Sequence, residues 1–207
     1  MKLDVYPLFA SPLTSILIEE NIDELVKYAQ KESFGVGKQP GNKGSQASKD
    51  KRILEKYNNI NDLMLKYFCE YCRVHLRYDG PFKITTSWFT KVEKGQSCQF
   101  HIHKNSFYSG VLYFGNYDDK NGGALQFKNP IEQFSDFKIV PREYNIANCN
   151  EYGAYPQKNV LVIFPSYLEH RIDTYVGNKP RYSLAFNIVP IGRYGDQDSS
   201  YDTSWFS

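Results

Sequence analysis

The sequence has no long hydrophobic run and little net charge, and each of these shortages excludes a class of protein. The longest uninterrupted apolar run is the five residues 160–164, whereas a membrane-spanning helix needs about 20. The 25 basic and 23 acidic residues leave a formal net charge of +2, so the broad positive field required for general nucleic-acid binding is missing. We therefore expect neither a membrane protein nor a general nucleic-acid-binding protein.

Cysteine is also scarce, and the four cysteines form no pattern typical of a disulfide framework or a zinc site. Only Cys69 and Cys72 lie close together, and Cys98 and Cys149 are too far apart to supply a second metal-binding pair. We interpret all four as buried structural thiols of an intracellular protein. The N-terminus shows neither a basic leader nor a small-residue cleavage site, so a cytoplasmic location is expected.

Apolar spacing divides the chain into a helical first part and a longer part rich in strands. Residues 21–31 and 50–77 carry apolar side chains at helical spacing, after an extended segment that contains an edge strand at 16–18. Between these helices, residues 35–48 are rich in Gly, Lys, Ser, Gln and Asn, which predicts a mobile loop. After Gly80 the apolar period changes to two. The predicted strands lie near residues 83–92, 97–103, 108–115, 123–127, 138–142, 159–165, 170–175 and 180–189.

Helices followed by eight strands predict an α+β, mainly β, single domain of 207 residues. We expect a double-stranded β-helix, or jelly roll, with the N-terminal helices packed on the outer face of one sheet. Residues 1–79 would form the N-terminal strand and helices, 80–190 the β-helix core, and 191–207 a tail. The tail is polar until Trp205-Phe206, and the sequence leaves open whether that aromatic pair docks or stays loose.

Three of the four histidines fall in the predicted β-helix core. His101 and His103 are separated by one residue, so a strand would place both imidazoles on the same face. His170 follows a buried strand and a turn and can converge on the pair from a neighbouring strand. Each pattern alone is typical of an exposed polar strand face, but three imidazoles on one side of a metal ion would leave the opposite coordination positions open for catalysis.

The strand that contains Arg181 adds polar side chains that could bind a ligand beside the metal. Alternation predicts that Arg181, Ser183, Ala185 and Asn187 share one face, while the large apolar side chains between them face the helices. An Arg and a Ser on an interior face beside a metal suit a carboxylate ligand, because guanidinium makes a two-pronged charge-assisted hydrogen bond. We expect Arg181 and Ser183 to hold a diacid.

Taken together, the motifs of this half of the chain resemble the 2-oxoglutarate and Fe(II)-dependent oxygenases, including members carried by bacterial viruses. The resemblance runs from about Trp88 to Asn187. It is carried by His101-x-His103, Asn105-Ser106, and the segments 109–113, 122–125, 164–170 and 181–187. The high content of Asn, Lys and Tyr also suits a viral or low-GC bacterial source, in which case a virus-encoded protein would be made in the host cytoplasm.

This resemblance implies an oxidoreductase that uses Fe(II), 2-oxoglutarate and O₂ to hydroxylate an unidentified substrate, with release of succinate and CO₂. By that similarity His101 and His170 are iron ligands, Arg181 and Ser183 hold the distal carboxylate of 2-oxoglutarate, and Tyr113 offers its hydroxyl to the same carboxylate. His103 departs from the usual pattern, which has Asp or Glu there. We retain His103 as the third ligand, since Glu169 should point away and Asp118 and Asp119 resemble turn residues.

Two alternatives stay open at this stage. A cupin-type metalloprotein shares the barrel, and the spacings of Gly95 to His101 and of Pro165 to His170 suit it, but Phe107 and Tyr108 stand where its fourth ligand, a Glu, should lie. The second alternative is a non-catalytic jelly-roll protein that binds a partner and retains a degenerate site. The oligomeric state and the primary substrate are not indicated by any motif.

Overall fold

The computed structural model describes residues 4, 6, 9–115, 122–131 and 140–204. Two antiparallel sheets carry most of the regular structure of this part of the chain. The strands are β1 (Thr14–Leu17), β2 (Phe34–Val36), β3 (Gln46–Ser48), β4 (Phe82–Val92), β5 (Tyr108–Tyr113), β6 (Leu125–Lys128), β7 (Glu151–Ala154), β8 (Val160–Pro165), β9 (His170–Ile172), β10 (Arg181–Pro190), β11 (Arg193–Tyr194) and β12 (Tyr201–Asp202). The helices are α1 (Glu24–Lys31) and α2 (Asn58–Tyr71), with short 3-10 turns at Ile53–Glu55 and Gln197–Ser199 and a π-helical turn at Cys72–Leu76.

The larger sheet, here called the major sheet, has the strand order β1-β8-β5-β10-β4-β3-β2. The smaller one, the minor sheet, has the order β7-β6-β9. Apolar side chains of both sheets, among them Tyr113, Leu125, Phe127 and Phe164, form one buried cluster between them. Two sheets enclosing a common interior, with crossing connections between them, form the double-stranded β-helix expected from the sequence.

The N-terminal helices cover the outer face of the major sheet, as predicted. Ile60, Met64 and Phe68 recur every four residues along α2, so they form a single stripe on the helix. That stripe belongs to the same buried cluster as Leu184 and Phe186 of β10. Burying the apolar face of β10 under the helices leaves its opposite face, with Arg181 and Ser183, directed into the interior between the sheets.

The segment predicted as a mobile loop is instead a hairpin of the major sheet. Residues 34–36 pair with residues 46–48, and β3 then pairs with β4 through Gln46↔Lys91 and Ala47↔Thr90. The hairpin has few apolar side chains of its own, and its pairing partner β4 lies more than 40 residues away in the sequence. Backbone hydrogen bonds to a distant strand therefore order a segment whose composition alone indicates a loop.

Three other boundaries differ from the predictions. Residues 97–103 make only isolated bridges, of which His101↔His170 is one, and residues 140–142 form no strand, while 138 and 139 lie outside the described residues. The predicted helix over 50–77 is divided into the 3-10 turn, α2 and the π-helical turn. It breaks because Ser87 draws residues 51–54 onto β4: Ser87 donates its N–H to the carbonyl of Lys51, and its hydroxyl oxygen accepts the N–H of Leu54.

The cysteines also differ from the expectation of buried thiols. Cys72 is buried, Cys98 and Cys149 are partly buried and Cys69 is exposed, all with free thiols. Trp205 and Phe206 lie outside the described residues, so the two alternatives for the tail stay open. Among the helices that the structure describes, none is long and apolar enough to cross a membrane.

Candidate metal centre

The three histidines singled out in the sequence converge at one end of the interior between the sheets. One ligand atom from each of His101, His103 and His170 lies within 4.8 Å of the others. Backbone pairing brings them together: the N–H of His101 donates to the carbonyl of His170 and the N–H of His170 to that of His101, both at 2.9 Å. Alternation along the chain then places His103 on the same side as His101.

The rings of His101 and His170 are oriented by hydrogen bonds to backbone carbonyls. Nδ1 of His101 lies 3.0 Å from the carbonyl oxygen of Gln99, and Nδ1 of His170 lies 2.8 Å from that of Leu168. A carbonyl oxygen only accepts, so Nδ1 must carry the proton in both rings. The lone pair of each neutral ring is then on Nε2, which is the atom available to a metal ion.

Burial keeps the imidazoles of His103 and His170 in the form that binds metal. Desolvation lowers the pKa of His103 to about 4, with a smaller contribution from neighbouring His101. Desolvation also lowers the pKa of His170 to about 3, again with His101 contributing. Both rings are therefore neutral at pH 7, as a divalent metal ion requires of its histidine ligands.

Arg181 lies in the same cavity, and most of its hydrogen-bonding capacity is unused. Its side chain is only 1% exposed, and Nη1 donates to the carbonyl oxygen of Gly123 at 2.5 Å. Nε and Nη2 are buried and have no hydrogen-bond partner among the described residues. Leaving a buried guanidinium with unpaired N–H groups is costly, so the site suits an anion that the described residues do not provide.

Aromatic and hydroxyl groups surround that guanidinium. The rings of Tyr113 and Tyr175 each lie 5.5 Å from the central carbon of Arg181. Burial raises the pKa of Tyr113, an effect that the charge of Arg181 partly offsets, so its hydroxyl keeps its proton and can donate to an anion. Ser183 is also buried and lines the cavity. All six predicted site residues therefore contribute to one cavity.

The cavity has a volume of about 740 Å³, which is within the range of small-molecule sites. Several of its lining residues escaped the sequence analysis or were left out of the site. They are Lys49, Lys51, Trp88, Cys98 and Gln99. Trp88 is only partly buried, and its ring lies 5.7 Å from that of His103. Phe89 is fully buried in the core under the helices.

Alternative third and fourth ligands are not found among the described carboxylates. Glu169 forms an ion pair with Lys128 at 3.1 Å and does not line the cavity. Asp118 and Asp119 lie outside the described residues. Phe107 and Tyr108, at the position of the cupin glutamate, contact one another edge to face with ring centroids 4.9 Å apart.

The donor set suits a divalent metal ion bound together with a carboxylate. Three neutral imidazoles favour Fe(II), Zn(II) and similar ions and leave the full charge of the ion uncompensated, because none of the ligands is anionic. The buried guanidinium and two hydroxyl groups in the same cavity favour a second carboxylate. A diacid bound at both centres would offset two of their three positive charges.

Comparison with known proteins agrees with this chemistry. Residues 86–187, about half of the chain, match the family described as "Putative 2OG-Fe(II) oxygenase". That segment contains all three histidines, Tyr113, Arg181 and Ser183. A search of curated proteins finds no match.

Solved structures show where this fold has been seen before. A prolyl-4-hydroxylase from Pseudomonas putida aligns with a TM-score of 0.58 at 15% identity, covering 89% of this chain and 96% of that one. HygX from Streptomyces hygroscopicus, with nickel, 2-oxoglutarate and hygromycin B bound, aligns with a TM-score of 0.58 at 9% identity, covering 87% and 83%. A viral collagen prolyl hydroxylase from Paramecium bursaria Chlorella virus-1, in its 2-oxoglutarate complex, aligns with a TM-score of 0.52 at 12% identity, covering 85% and 94%. At these identities the likeness concerns the fold.

Proposed function

Because this chain belongs to the 2OG-Fe(II) oxygenase family, we propose that it hydroxylates an organic substrate with release of succinate and CO₂. His101, His103 and His170 hold Fe(II), and Arg181, Ser183 and Tyr113 hold 2-oxoglutarate. Fe(II), with 2-oxoglutarate and O₂, supplies the oxidising chemistry in this family. The protein residues bind the co-substrate, orient it and exclude water from the metal.

The main support for this proposal is the unused hydrogen-bonding capacity of the Arg181 guanidinium. Its buried Nε and Nη2 have no hydrogen-bond partner among the described residues, while Nη1 donates to the Gly123 carbonyl, which holds the group in place. A carboxylate accepting from these N–H groups would remove the unfavourable burial, and charge-assisted bonds of this kind contribute about 1.5 to 3 kcal/mol each. The hydroxyl groups of Ser183 and Tyr113 can donate to the same carboxylate.

Apolar side chains from both sheets exclude water next to His170. The ring of Phe164 lies 4.7 Å from that of His170, and the ring of Phe127 lies 6.0 Å from it. Both phenylalanines are almost fully buried. Electrostatic attraction between an anionic co-substrate and a metal ion is stronger in such an environment than in water.

The proposal is tested by anaerobic titration of the Fe(II)-loaded protein with 2-oxoglutarate. Chelation of the metal by the 2-oxo acid end should give a weak metal-to-ligand charge-transfer band, which succinate cannot give because it lacks the 2-oxo group. Admission of O₂ should then release succinate from 2-oxoglutarate. The proposal is wrong if the protein binds 2-oxoglutarate no better than succinate and no band appears.

Gly123→Ala is expected to weaken 2-oxoglutarate binding about tenfold by displacing the guanidinium of Arg181. Gly123 has φ +69°, and a Cβ added there would lie 2.6 Å from Nη1 of Arg181, well inside the contact distance. The end of the arginine side chain must therefore move, and loss of one charge-assisted bond corresponds to about a factor of ten or more. Titration of the charge-transfer band measures the change.

Gly95→Ala is the matched control for this prediction. Gly95 has a similar φ of +81° but nothing within 4 Å of the added Cβ, so it imposes the same kind of backbone strain without touching Arg181. Equal losses in the two variants would attribute the effect to backbone strain and contradict a positioning role for Gly123.

A further inference from the structure

We propose that the primary substrate carries an anionic group, a carboxylate or a phosphate, that Lys49 and Lys51 bind at the mouth of the metal cavity. This inference rests on the proposed function, because it concerns the molecule that enters after 2-oxoglutarate. It rests on the charge of the cavity lining, on the lack of counter-ions for these two lysines among the described residues, and on the hydrogen-bonded segment that carries them.

Every charged side chain that lines the cavity in the described part of the chain is a cation. Lys49, Lys51 and Arg181 contribute positive charge, and no Asp or Glu is among the lining residues. The two carboxylates of 2-oxoglutarate would offset two of the three positive charges of Fe(II) and Arg181, and both carboxylates would then be engaged. Lys49 and Lys51 are then the cations that a second ligand can neutralise.

Neither lysine has an anionic partner among the described residues. The nearest acidic residue in sequence, Asp50, forms an ion pair with Lys56 at 2.7 Å and also accepts the N–H of Arg52 at 2.8 Å. Asp50 is thus engaged away from the cavity. Desolvation lowers the pKa of Lys51, so its ammonium loses part of its hydration without gaining a counter-ion among the described residues.

The segment that carries the two lysines is fixed to the sheet. The buried hydroxyl of Ser48 accepts the N–H of Phe89 at 3.1 Å and donates to the carbonyl of Asp50 at 2.7 Å. The N–H of Lys49 donates to the carbonyl of Ser33, and the carbonyl of Lys51 accepts the N–H of Ser87, both at 2.8 Å. Their backbone is therefore in place before a ligand arrives, which reduces the entropy cost of binding.

Trp88 connects this pair of lysines to the metal site. The ammonium of Lys51 lies 5.8 Å from the centre of the Trp88 ring, and the same ring lies 5.7 Å from that of His103. An anionic group at Lys51 would let the carbon chain of a substrate lie along Trp88 with its far end at the metal. The cavity of about 740 Å³ has room for such a molecule beside 2-oxoglutarate.

The test uses Trp88 as a reporter in the full chain. The chain contains two tryptophans, so the Trp205→Phe variant leaves Trp88 as the single tryptophan, whose fluorescence is followed by selective excitation. This protein, loaded with Zn(II) and saturated with 2-oxoglutarate, is titrated with inorganic phosphate, with N-acetylglycine, and with the uncharged N-acetylglycinamide. We expect saturable fluorescence changes with at least one anion and none with the amide; the anion that binds more tightly identifies the preferred group.

A double variant tests whether the fluorescence change comes from anion binding at Lys49 and Lys51. Lys49→Gln with Lys51→Gln should weaken anion binding at least tenfold. The control, Lys27→Gln with Lys31→Gln, removes the same charge from exposed positions on α1 and should change it less than twofold. Melting temperatures of all variants exclude unfolding as the cause.

Three outcomes would overturn the inference: no anion changes the fluorescence, the amide binds as well as N-acetylglycine, or both double variants weaken binding equally. A failure of the proposed function is distinguished by the charge-transfer titration of the Fe(II)-loaded protein. If 2-oxoglutarate gives no band there, the oxygenase assignment fails, and with it the identification of the anion as substrate, even where phosphate still binds at the lysines.

Discussion

Arg181→Ala is expected to weaken 2-oxoglutarate binding by the Fe(II)-loaded protein by roughly 100-fold or more, because two charge-assisted hydrogen bonds of about 1.5 to 3 kcal/mol each are lost. Metal affinity should hardly change, since Arg181 donates to the Gly123 carbonyl and has no contact with a ring nitrogen of the three histidines. The charge-transfer band measures the first quantity and equilibrium dialysis of the metal measures the second.

Two further variants sharpen this prediction. Arg181→Lys keeps the charge but loses the planar fork, so it should fall between the wild type and Arg181→Ala. Arg171→Ala removes a cation close to the metal, on β9, whose Nε donates to Gln126 at 2.7 Å outside the cavity. It should change 2-oxoglutarate affinity less than threefold. An equal loss in Arg171→Ala would mean that general positive charge, rather than a two-pronged contact, attracts the co-substrate.

His103→Ala is expected to lower Fe(II) affinity at least 100-fold, which exceeds the roughly 10- to 100-fold typical of residues that only support a ligand. The removed imidazole supplies one of three ligand atoms that lie within 4.8 Å of one another. His103→Asp should retain metal, because a carboxylate is the group that the family resemblance puts at this position. It should nevertheless bind anionic 2-oxoglutarate more weakly than the wild type, since the carboxylate cancels one unit of the metal charge.

Metal analysis after chelation and reloading checks these expectations. His75→Ala is the control, because His75 is an exposed histidine beyond the end of α2 and should leave metal content unchanged. Unaltered iron affinity in His103→Ala would exclude His103 as a ligand and assign it to the substrate side of the cavity, next to Trp88. Carboxylates outside the described residues, Asp118 and Asp119, would then be the next variants to make.

The sequence predicts that Arg181 and Ser183 face the interior better than it predicts which other residues line the same cavity. Alternation along β10 separates Arg181 and Ser183 from Leu184 and Phe186, and the structure confirms that separation. It follows from local geometry, because one face of the strand must be apolar to pack under helices. The environment of Trp88 could not be predicted in this way, because a large aromatic side chain on a strand suits both the core and a cavity wall, and only the structure places its ring beside that of His103.

Long-range contacts account for the features that the sequence did not predict. The hairpin of β2 and β3 forms because β4 offers it a free edge, and Lys49 and Lys51 reach the cavity because Ser87 and Ser48 hold their segment against that strand. The partners on β4, Ser87 and Phe89, lie far from this segment in the sequence. The expected strand at 97–103 failed for the opposite reason: its alternation is correct, but it finds pairing partners at only a few isolated positions.

Hydrogen bonds to backbone carbonyls hold two of the three imidazoles, and this affects how the protein binds and releases its metal. Since Gln99 and Leu168 already fix the rings of His101 and His170, the rotational freedom lost on capturing an ion comes mainly from His103, whose ring makes no hydrogen bond within the described part of the chain. The metal-free and metal-loaded proteins should then share one backbone, and a chelated sample should recover by a single side-chain rearrangement instead of by refolding.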